Sequence, residues 1–207
     1  MKRIFSLFIA ALIAAPLIAL AQQADHQYTE LKPPQPVDTG GKKIEVVEFF
    51  WYGCPHCYDL EPLLENWVKK LPPDVQFRPI PAVFNARWEH DAAIFYAFDA
   101  LGVLPRVHRA FFDAIHRDHL RTDNQAAMAE WLKKNNIDPN KFFETMKSFG
   151  VQSKVKRAAK LSVDYKIDGT PAMAVQGRYT VSAEQGRSHE GMLETVSYLI
   201  DMVRKAK

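Results

Sequence analysis

The chain has 207 residues, 47% of them hydrophobic and 25% charged, with a formal net charge of +3 and only two cysteines. That length suits one domain, or one domain with an insertion, and the apolar content supports a core without cross-links. The cysteine count excludes a disulfide-stapled scaffold and a four-cysteine zinc site, and the small net charge gives no electrostatic case for nucleic acid.

Residues 1–21 predict a secretory signal peptide. The positively charged Lys2-Arg3 precedes an apolar stretch that ends in Ala19-Leu20-Ala21, a small-residue cleavage signal. The stretch is also long enough for an uncleaved membrane anchor, but Pro16 and the small-residue ending favour cleavage. Cleavage removes two positive charges and no acid, so the formal charge falls to +1. The mature chain is expected in an exported compartment, where disulfides form and persist.

The first part of the mature chain predicts an arm followed by a strand–helix–strand unit. Residues 22–41 are polar and contain prolines, which indicates an extended N-terminal arm with little structure of its own. Residues 44–50 are rich in β-branched and aromatic residues and predict a buried strand. A helix is expected over residues 58–70. A second strand is expected over residues 75–83, where Pro79 favours the edge of a sheet.

From about residue 88 to residue 165 the hydrophobic period becomes helical. Thr122 and Gln125 have the spacing of a capping box, which predicts a helix start at Thr122. Asp138-Pro139 predicts another start, with aspartate as N-cap and proline in the first helical position. This part of the chain is therefore expected to be a block of helices.

The last part of the chain predicts a β-hairpin and a terminal helix. Strand character returns over residues 171–176 and 179–181, with Gly177-Arg178 as a tight turn, and Ser188 starts the helix. The order is strand–helix–strand, helical block, hairpin–helix, which predicts an α/β, thioredoxin-like fold interrupted by an inserted helical domain. We place the two thioredoxin-like parts at residues 42–86 and 167–207, around an insertion at residues 87–166.

The motif Cys54-Pro55-His56-Cys57 follows the first predicted strand directly and holds both cysteines of the chain. Two intervening residues is the spacing of redox dithiols, in which one thiolate attacks and the other resolves the mixed disulfide. Cys54 stands before the first helical turn, where free N–H groups and the helix dipole favour a thiolate, as does a protonated His56. Cys57 is expected to be buried. The motif predicts a thiol–disulfide oxidoreductase.

Other uses of the cysteine pair have less support. An inert buried pair stays open as an alternative. A zinc site would need a fourth ligand beyond the cysteines and His56, and c-type haem attachment needs a histidine where Tyr58 stands. His108, His116 and His119 fall near one helical face, but the sequence supplies no acid or cysteine that completes a metal site there. We therefore expect no metal, and no cofactor besides the redox-active disulfide.

Three segments together resemble the DsbA family of exported disulfide oxidases: Glu48-Phe49-Phe50 before the cysteines, Tyr58 after them, and Gly169-Thr170-Pro171-Ala172-Met173. The resemblance extends from about Lys43 to the C-terminus and includes the placement of the helical insertion. It implies a periplasmic monomer of a Gram-negative cell that donates the Cys54–Cys57 disulfide to reduced, newly secreted polypeptides. It also implies a membrane reoxidase of the DsbB type as partner.

Glu48 is a candidate site residue because an ionised carboxylate is expensive to bury in such an apolar strand. It is either a partly exposed strand residue or a buried acid that relays the proton of Cys57, and the resemblance favours the acid. Relatives typically pair this acid with a lysine on the next strand, where this sequence has Pro79. The neighbouring Arg78 is expected to point to the opposite face. The charge compensation of Glu48 therefore stays open.

The resemblance also implies that Pro171 is a cis-proline opposite the cysteines, although base rates alone favour a trans bond. The backbone of Thr170 would then pair with an extended substrate strand, and its hydroxyl would modulate the thiolate. Many relatives have valine at this position, so potential and substrate release are expected to differ. Tyr58 and Leu60 are expected to border an apolar peptide groove, although core packing explains Leu60 equally well.

Two rival functions stay open. The first is an exported disulfide reductase or isomerase, although known isomerases of this kind usually carry a dimerisation module for which residues 22–41 leave no room. The second is a peptide-binding chaperone with incidental cysteines. Replacement of Cys54 by serine separates the classes, because it should abolish thiol oxidation and leave a chaperone intact.

Overall fold

A mixed five-stranded sheet organises the part of the chain that this computed structural model describes, residues 26–40 and 42–206. The strands are β1 (Thr29–Glu30), β2 (Ile44–Phe50), β3 (Val75–Pro81), β4 (Ala172–Val175) and β5 (Tyr179–Ser182). Their order in the sheet is β1-β5-β4-β2-β3, with β2 parallel to β3 and antiparallel to β4. The predicted signal peptide lies outside the described residues.

Eight helices accompany the sheet in the described part of the chain: α1 (Pro55–Val68), α2 (Ala86–Ala100), α3 (Leu104–His116), α4 (Gln125–Lys134), α5 (Pro139–Lys147), α6 (Phe149–Asp164), α7 (Ala183–Gly186) and α8 (His189–Lys205). Five of them, α2 to α6, lie between β3 and β4 in sequence, so the predicted helical insertion is confirmed. Within residues 26–40 and 42–206, every helix is too short or too polar to span a bilayer.

The apolar residues of β2 divide between two faces of the sheet because side chains alternate along a strand. Val46 packs with α1 and α8, and Val47 and Phe49 pack on the other face against α6. Phe50, at the end of β2, joins an aromatic cluster with helices of the insertion, and Cys57 belongs to the same cluster. The cysteine motif therefore sits where the sheet meets the helical insertion.

Two predicted helix starts are confirmed and one is wrong. Asp138 caps α5 and Ser188 caps α8, as the sequence indicated. Helix α4 is capped by Asn124, whose side chain accepts the N–H of Ala127, and not by Thr122. The hydroxyl of Thr122 instead donates to a carboxylate of α2 at 2.6 Å, and this tertiary hydrogen bond competes with capping.

The N-terminal arm differs from the expectation of little structure. Thr29 and Glu30 form β1, which pairs antiparallel with β5 at the edge of the sheet. Leu31, directly after β1, is buried, and its N–H donates to the carbonyl of Arg178 at 2.7 Å. A strand of two residues is too short for a period to be visible in the sequence.

Candidate active site

The two cysteines lie at the junction between β2 and α1. Cys54 is the N-cap residue of α1, and Pro55 is the first helical residue. The Sγ atom of Cys54 accepts the backbone N–H of Cys57 at 3.4 Å. Both cysteines are free thiols; Cys54 is 7% exposed and Cys57 is completely buried. The helix start thus holds one thiol with a small exposed fraction and the other completely buried beneath it.

The surroundings shift the pKa values of the two thiols in opposite directions. A hydrogen bond from the Cys57 thiol is the largest contribution that lowers the pKa of Cys54 to about 5. Burial opposes this shift, and hydrogen bonds from Thr170 and from the backbone N–H groups of Cys57 and His56 add to it. Burial, followed by the hydrogen bond to Cys54, raises the pKa of Cys57. The backbone of His56 contributes to this shift, while its side chain is exposed to solvent. At neutral pH the reduced site therefore holds a thiolate on Cys54 and a thiol on Cys57.

Thr170 and Pro171 border the sulfur of Cys54 from the start of β4. The peptide bond between them is cis, which confirms that prediction. In its protonated form, Cys54 Sγ donates a hydrogen bond to the carbonyl oxygen of Thr170 at 3.3 Å. The loop before β4 thus brings a backbone acceptor to the more exposed sulfur, although 116 residues separate the two positions.

Glu48 lies in β2 with 1% of its surface exposed. Its register partner on β3 is Pro79, the residue that the resemblance placed at this position. Arg78 instead pairs with Glu45, as alternation requires. Burial, followed by the charges of nearby acidic groups including the Cys54 thiolate, raises the pKa of Glu48 well above its ordinary value. The site therefore holds a carboxyl group that favours its protonated form.

Comparison with known protein families identifies the family to which a chain with this arrangement belongs. A model described as a DSBA-like thioredoxin domain matches residues 45–190. The chain belongs to this family. Its thioredoxin-like α/β fold with an inserted helical domain is thereby confirmed.

Members of the DSBA-like family resemble the chain over nearly its full length. The thiol:disulfide interchange protein DsbA of Azotobacter vinelandii is 41% identical over 208 residues, which cover 96% of this chain and 97% of the relative. The DsbA of Bordetella pertussis is 43% identical over 199 residues, with coverage of 95% and 94%. The crystal structure of Pseudomonas aeruginosa DsbA matches with a TM-score of 0.81 and 40% identity, covering 86% of this chain and 93% of that chain.

One buried acid near the dithiol, Glu61, is absent from the sequence-based site. It lies in α1, is 3% exposed, and its charge contributes to the raised pKa of Glu48. Its Oε1 atom lies 3.5 Å from Nε2 of His108 in α3, and Nδ1 of His108 lies 2.8 Å from the hydroxyl of Tyr52. The signal was available, because Glu61 follows Cys57 by four residues and side chains at that spacing share a helix face.

The two predicted groove residues have different surroundings. Tyr58 is partly exposed; its hydroxyl donates to Asp113 Oδ1 at 2.8 Å, and its ring stacks on His116 at 4.7 Å. The hydrogen bond to Asp113 raises the pKa of Tyr58. Leu60 is completely buried in the core formed by the sheet, α1 and α8, so its assignment to a groove is wrong. The turn of α1 directs it towards the sheet.

The three histidines considered for a metal site are not equivalent. His108 contacts Tyr52 and Glu61, and Nε2 of His116 lies 2.8 Å from the backbone carbonyl oxygen of Tyr52. His119 lies beyond the end of α3, with a left-handed φ of 56°. In the two described ranges, no group of three or more His, Cys, Asp and Glu side chains is arranged to hold a metal ion.

Proposed function

We propose that this protein is an exported thiol:disulfide interchange protein, a dithiol oxidase that donates the Cys54–Cys57 disulfide to reduced secreted polypeptides. The observation that carries the proposal is the inequality of the two thiols. The pKa of Cys54 is lowered to about 5, and that of Cys57, one helical turn away, is raised. A stabilised thiolate favours the reduced form of the enzyme, which makes its disulfide a stronger oxidant.

The exchange proceeds in two steps. A substrate thiolate attacks Sγ of Cys54 in the disulfide, and Cys57 leaves as a thiolate, which takes a proton because it is buried. Glu48, whose raised pKa favours the protonated carboxyl, is the proposed donor of that proton. A second substrate thiolate then attacks the substrate sulfur of the mixed disulfide. Cys54 leaves as a thiolate, the substrate gains a disulfide, and the enzyme holds the two electrons.

Substrate binding is assigned to the surface around Cys54. The backbone of Thr170 and Pro171 is proposed to pair with an extended segment of the substrate, because it borders the sulfur that is attacked. The partly exposed Tyr58 is proposed to line the same surface from α1. Pro55 and His56 are exposed at the helix start and are proposed to belong to the contact area.

Continued turnover needs an oxidant for the reduced enzyme. We assign this role to a membrane reoxidase of the DsbB type, and the compartment to the periplasm of a Gram-negative cell. Family membership supports both assignments, and so does the signal-peptide pattern of residues 1–21. The enzyme is proposed to act as a monomer, with the Cys54–Cys57 disulfide as its only redox group.

The proposal is tested by the equilibrium of the Cys54–Cys57 pair with glutathione, together with the oxidation rate of a reduced, unfolded client. We expect the equilibrium constant to show that the Cys54–Cys57 disulfide is a stronger oxidant than the disulfide of thioredoxin. We also expect Cys54→Ser to abolish oxidation of the client. A thioredoxin-like constant would indicate a reductase instead. Client protection from aggregation that survives in Cys54→Ser, without oxidation by the wild type, would indicate a chaperone.

A further inference from the structure

Two buried acids, Glu48 and Glu61, lie beneath the dithiol. Both are at most 3% exposed, and the charge of Glu61 reaches Glu48, whose pKa it raises. Pro79 occupies the register position from which a cation of β3 would face Glu48. Oε1 of Glu48 accepts no hydrogen bond from any described residue. Negative charge beneath the site thus has no compensation from the sheet.

The compensation is available from the helical insertion. His108 of α3 is the group at ion-pair distance from Glu61, with Nε2 and Oε1 separated by 3.5 Å. The side chain of His108 is 19% exposed, so its ring reaches both the buried acid and solvent. We propose that the His108 imidazolium is the charge partner of Glu61 and thereby stabilises the Cys54 thiolate, which makes His108 a positioning residue for disulfide exchange.

The position of the ring is fixed from two sides. Nδ1 of His108 lies 2.8 Å from the hydroxyl of Tyr52, which is 1% exposed. That hydroxyl accepts a hydrogen bond from the protonated nitrogen of an imidazolium, and it donates to the bare nitrogen of a neutral ring. Nε2 lies 3.5 Å from Oε1 of Glu61. The same contacts therefore hold the ring in place whether or not it carries a charge.

No other charged group competes for this ring in the described part of the chain. Phe50 and Tyr52 of the β2 end, Phe95 of α2 and Phe112 of α3 contact it with aromatic rings. Among these elements and α1, the titratable groups that face it are the Tyr52 hydroxyl and the Glu61 carboxylate. An apolar surrounding strengthens the attraction between imidazolium and carboxylate.

The consequence for the reaction follows from charge. Glu61 lies one helical turn after the buried Cys57 in α1, so an uncompensated Glu61 carboxylate is inferred to disfavour negative charge at the dithiol, which the Cys54 thiolate carries only in the reduced enzyme. An imidazolium on Glu61 removes that effect and leaves the disulfide form almost unaffected, because a disulfide carries no charge. His108 is therefore expected to make the disulfide more oxidising.

The test is the equilibrium constant for reduction of the Cys54–Cys57 disulfide by glutathione in His108→Gln, which keeps a polar side chain beside Tyr52 and Glu61 and removes the positive charge. We expect the constant to fall about tenfold, equal to about 30 mV, and the Cys54 pKa to rise. In a Glu61→Gln background the same replacement should leave the constant unchanged. His90→Gln is the matched control, because Nε2 of His90 lies 2.9 Å from the backbone carbonyl oxygen of Thr122, and the replacement should not alter the constant.

The proposal is overturned if His108→Gln leaves the constant and the Cys54 pKa as in the wild type, or if it shifts both by the same amounts in the Glu61→Gln background. If His108→Gln does not fold, nitrogen NMR of the wild-type imidazole decides. Two protonated nitrogens at neutral pH support the proposal, and one bare nitrogen contradicts it. The inference rests on the proposed function, but the ratio of variant to wild-type constants stays measurable even if the wild type has a thioredoxin-like potential.

Discussion

Strand β2 carries two buried acids, Glu45 and Glu48, which are equally inaccessible and have opposite surroundings. Both are 1% exposed, and Oε1 of each accepts no hydrogen bond within the described ranges. Oε2 of Glu45 accepts the backbone N–H of Asp38 at 3.0 Å and a hydrogen bond from Arg78 at 3.2 Å. Glu48 faces Pro79 and acidic neighbours. The difference between them is a cation.

Position explains the difference. Three residues apart on a strand, the two side chains point to opposite faces of the sheet. Glu45 faces the N-terminal arm, where a fixed ion pair with Arg78 ties Asp38 and the arm to the sheet. Glu48 faces the dithiol, where a fixed positive charge would hold the carboxyl ionised. The comparison indicates that this protein compensates a buried acid that has a structural role and leaves uncompensated the one beside a thiol that must change its proton.

The largest effect is expected from removal of Arg78, the cation that pairs with Glu45. Arg78→Met should lower the free energy of unfolding by about 3 kcal/mol, because it leaves a buried carboxylate without its partner. Urea unfolding of the oxidised protein measures it. Lys160→Met is the matched control, since Lys160 forms an exposed pair with Asp164 and its loss should cost at most about 1 kcal/mol. Equal losses in both variants would contradict the structural role of the Arg78 pair.

Removal of the second acid should have the opposite sign. Glu48→Gln should stabilise the oxidised protein by about 1–3 kcal/mol at pH 7, because an acid buried without a partner is replaced by a neutral amide. The folded pKa of Glu48 is raised above 4.5, so wild-type stability is lost as the pH rises from 4.5 towards the folded pKa. Below pH 4.5 Glu48 is protonated in both the folded and the unfolded state, so the stabilisation by Glu48→Gln should vanish.

Urea unfolding at pH 4 and pH 7 tests this pH dependence. Glu45→Gln is the matched control on the same strand, and it should destabilise the protein at pH 7. The oxidised form is required, because the reduced protein also titrates Cys54 with its pKa of about 5. A gain for Glu48→Gln of the same size at both pH values would show that charge is not its cause.

Sequence was sufficient for the features that depend on neighbouring residues. The bounds of β2 follow from a segment rich in β-branched and aromatic residues, and the place of Cys54 at the helix start follows from Pro55 as the first helical residue. The register of Pro79 with Glu48 was implied by the resemblance to the DsbA family, and the pairing of β2 with β3 agrees with it. The first two features are local.

Features that depend on distant packing were missed. The ion pair of Glu61 with His108 depends on how α1 packs against α3, and no period in either segment encodes that contact. Thr122 is a residue type that often caps helices, but its hydroxyl donates a hydrogen bond to a carboxylate of α2 instead. Leu60 fits both a groove and a core by its chemistry, and only the orientation of α1 on the sheet assigns it to the core.

The smallest of the expected effects comes from giving Glu48 the cation that Glu45 has. Pro79→Lys places an ammonium opposite Glu48 on β3, an edge strand that tolerates a lysine. The paired carboxyl should then ionise, so the stabilisation by Glu48→Gln should shrink by about 1 kcal/mol in a double-mutant cycle at pH 7. Pro79→Met supplies the same length without charge and should leave that stabilisation intact. If methionine and lysine reduce it equally, the backbone change at residue 79 is responsible, and the missing cation does not explain the contrast between the two acids.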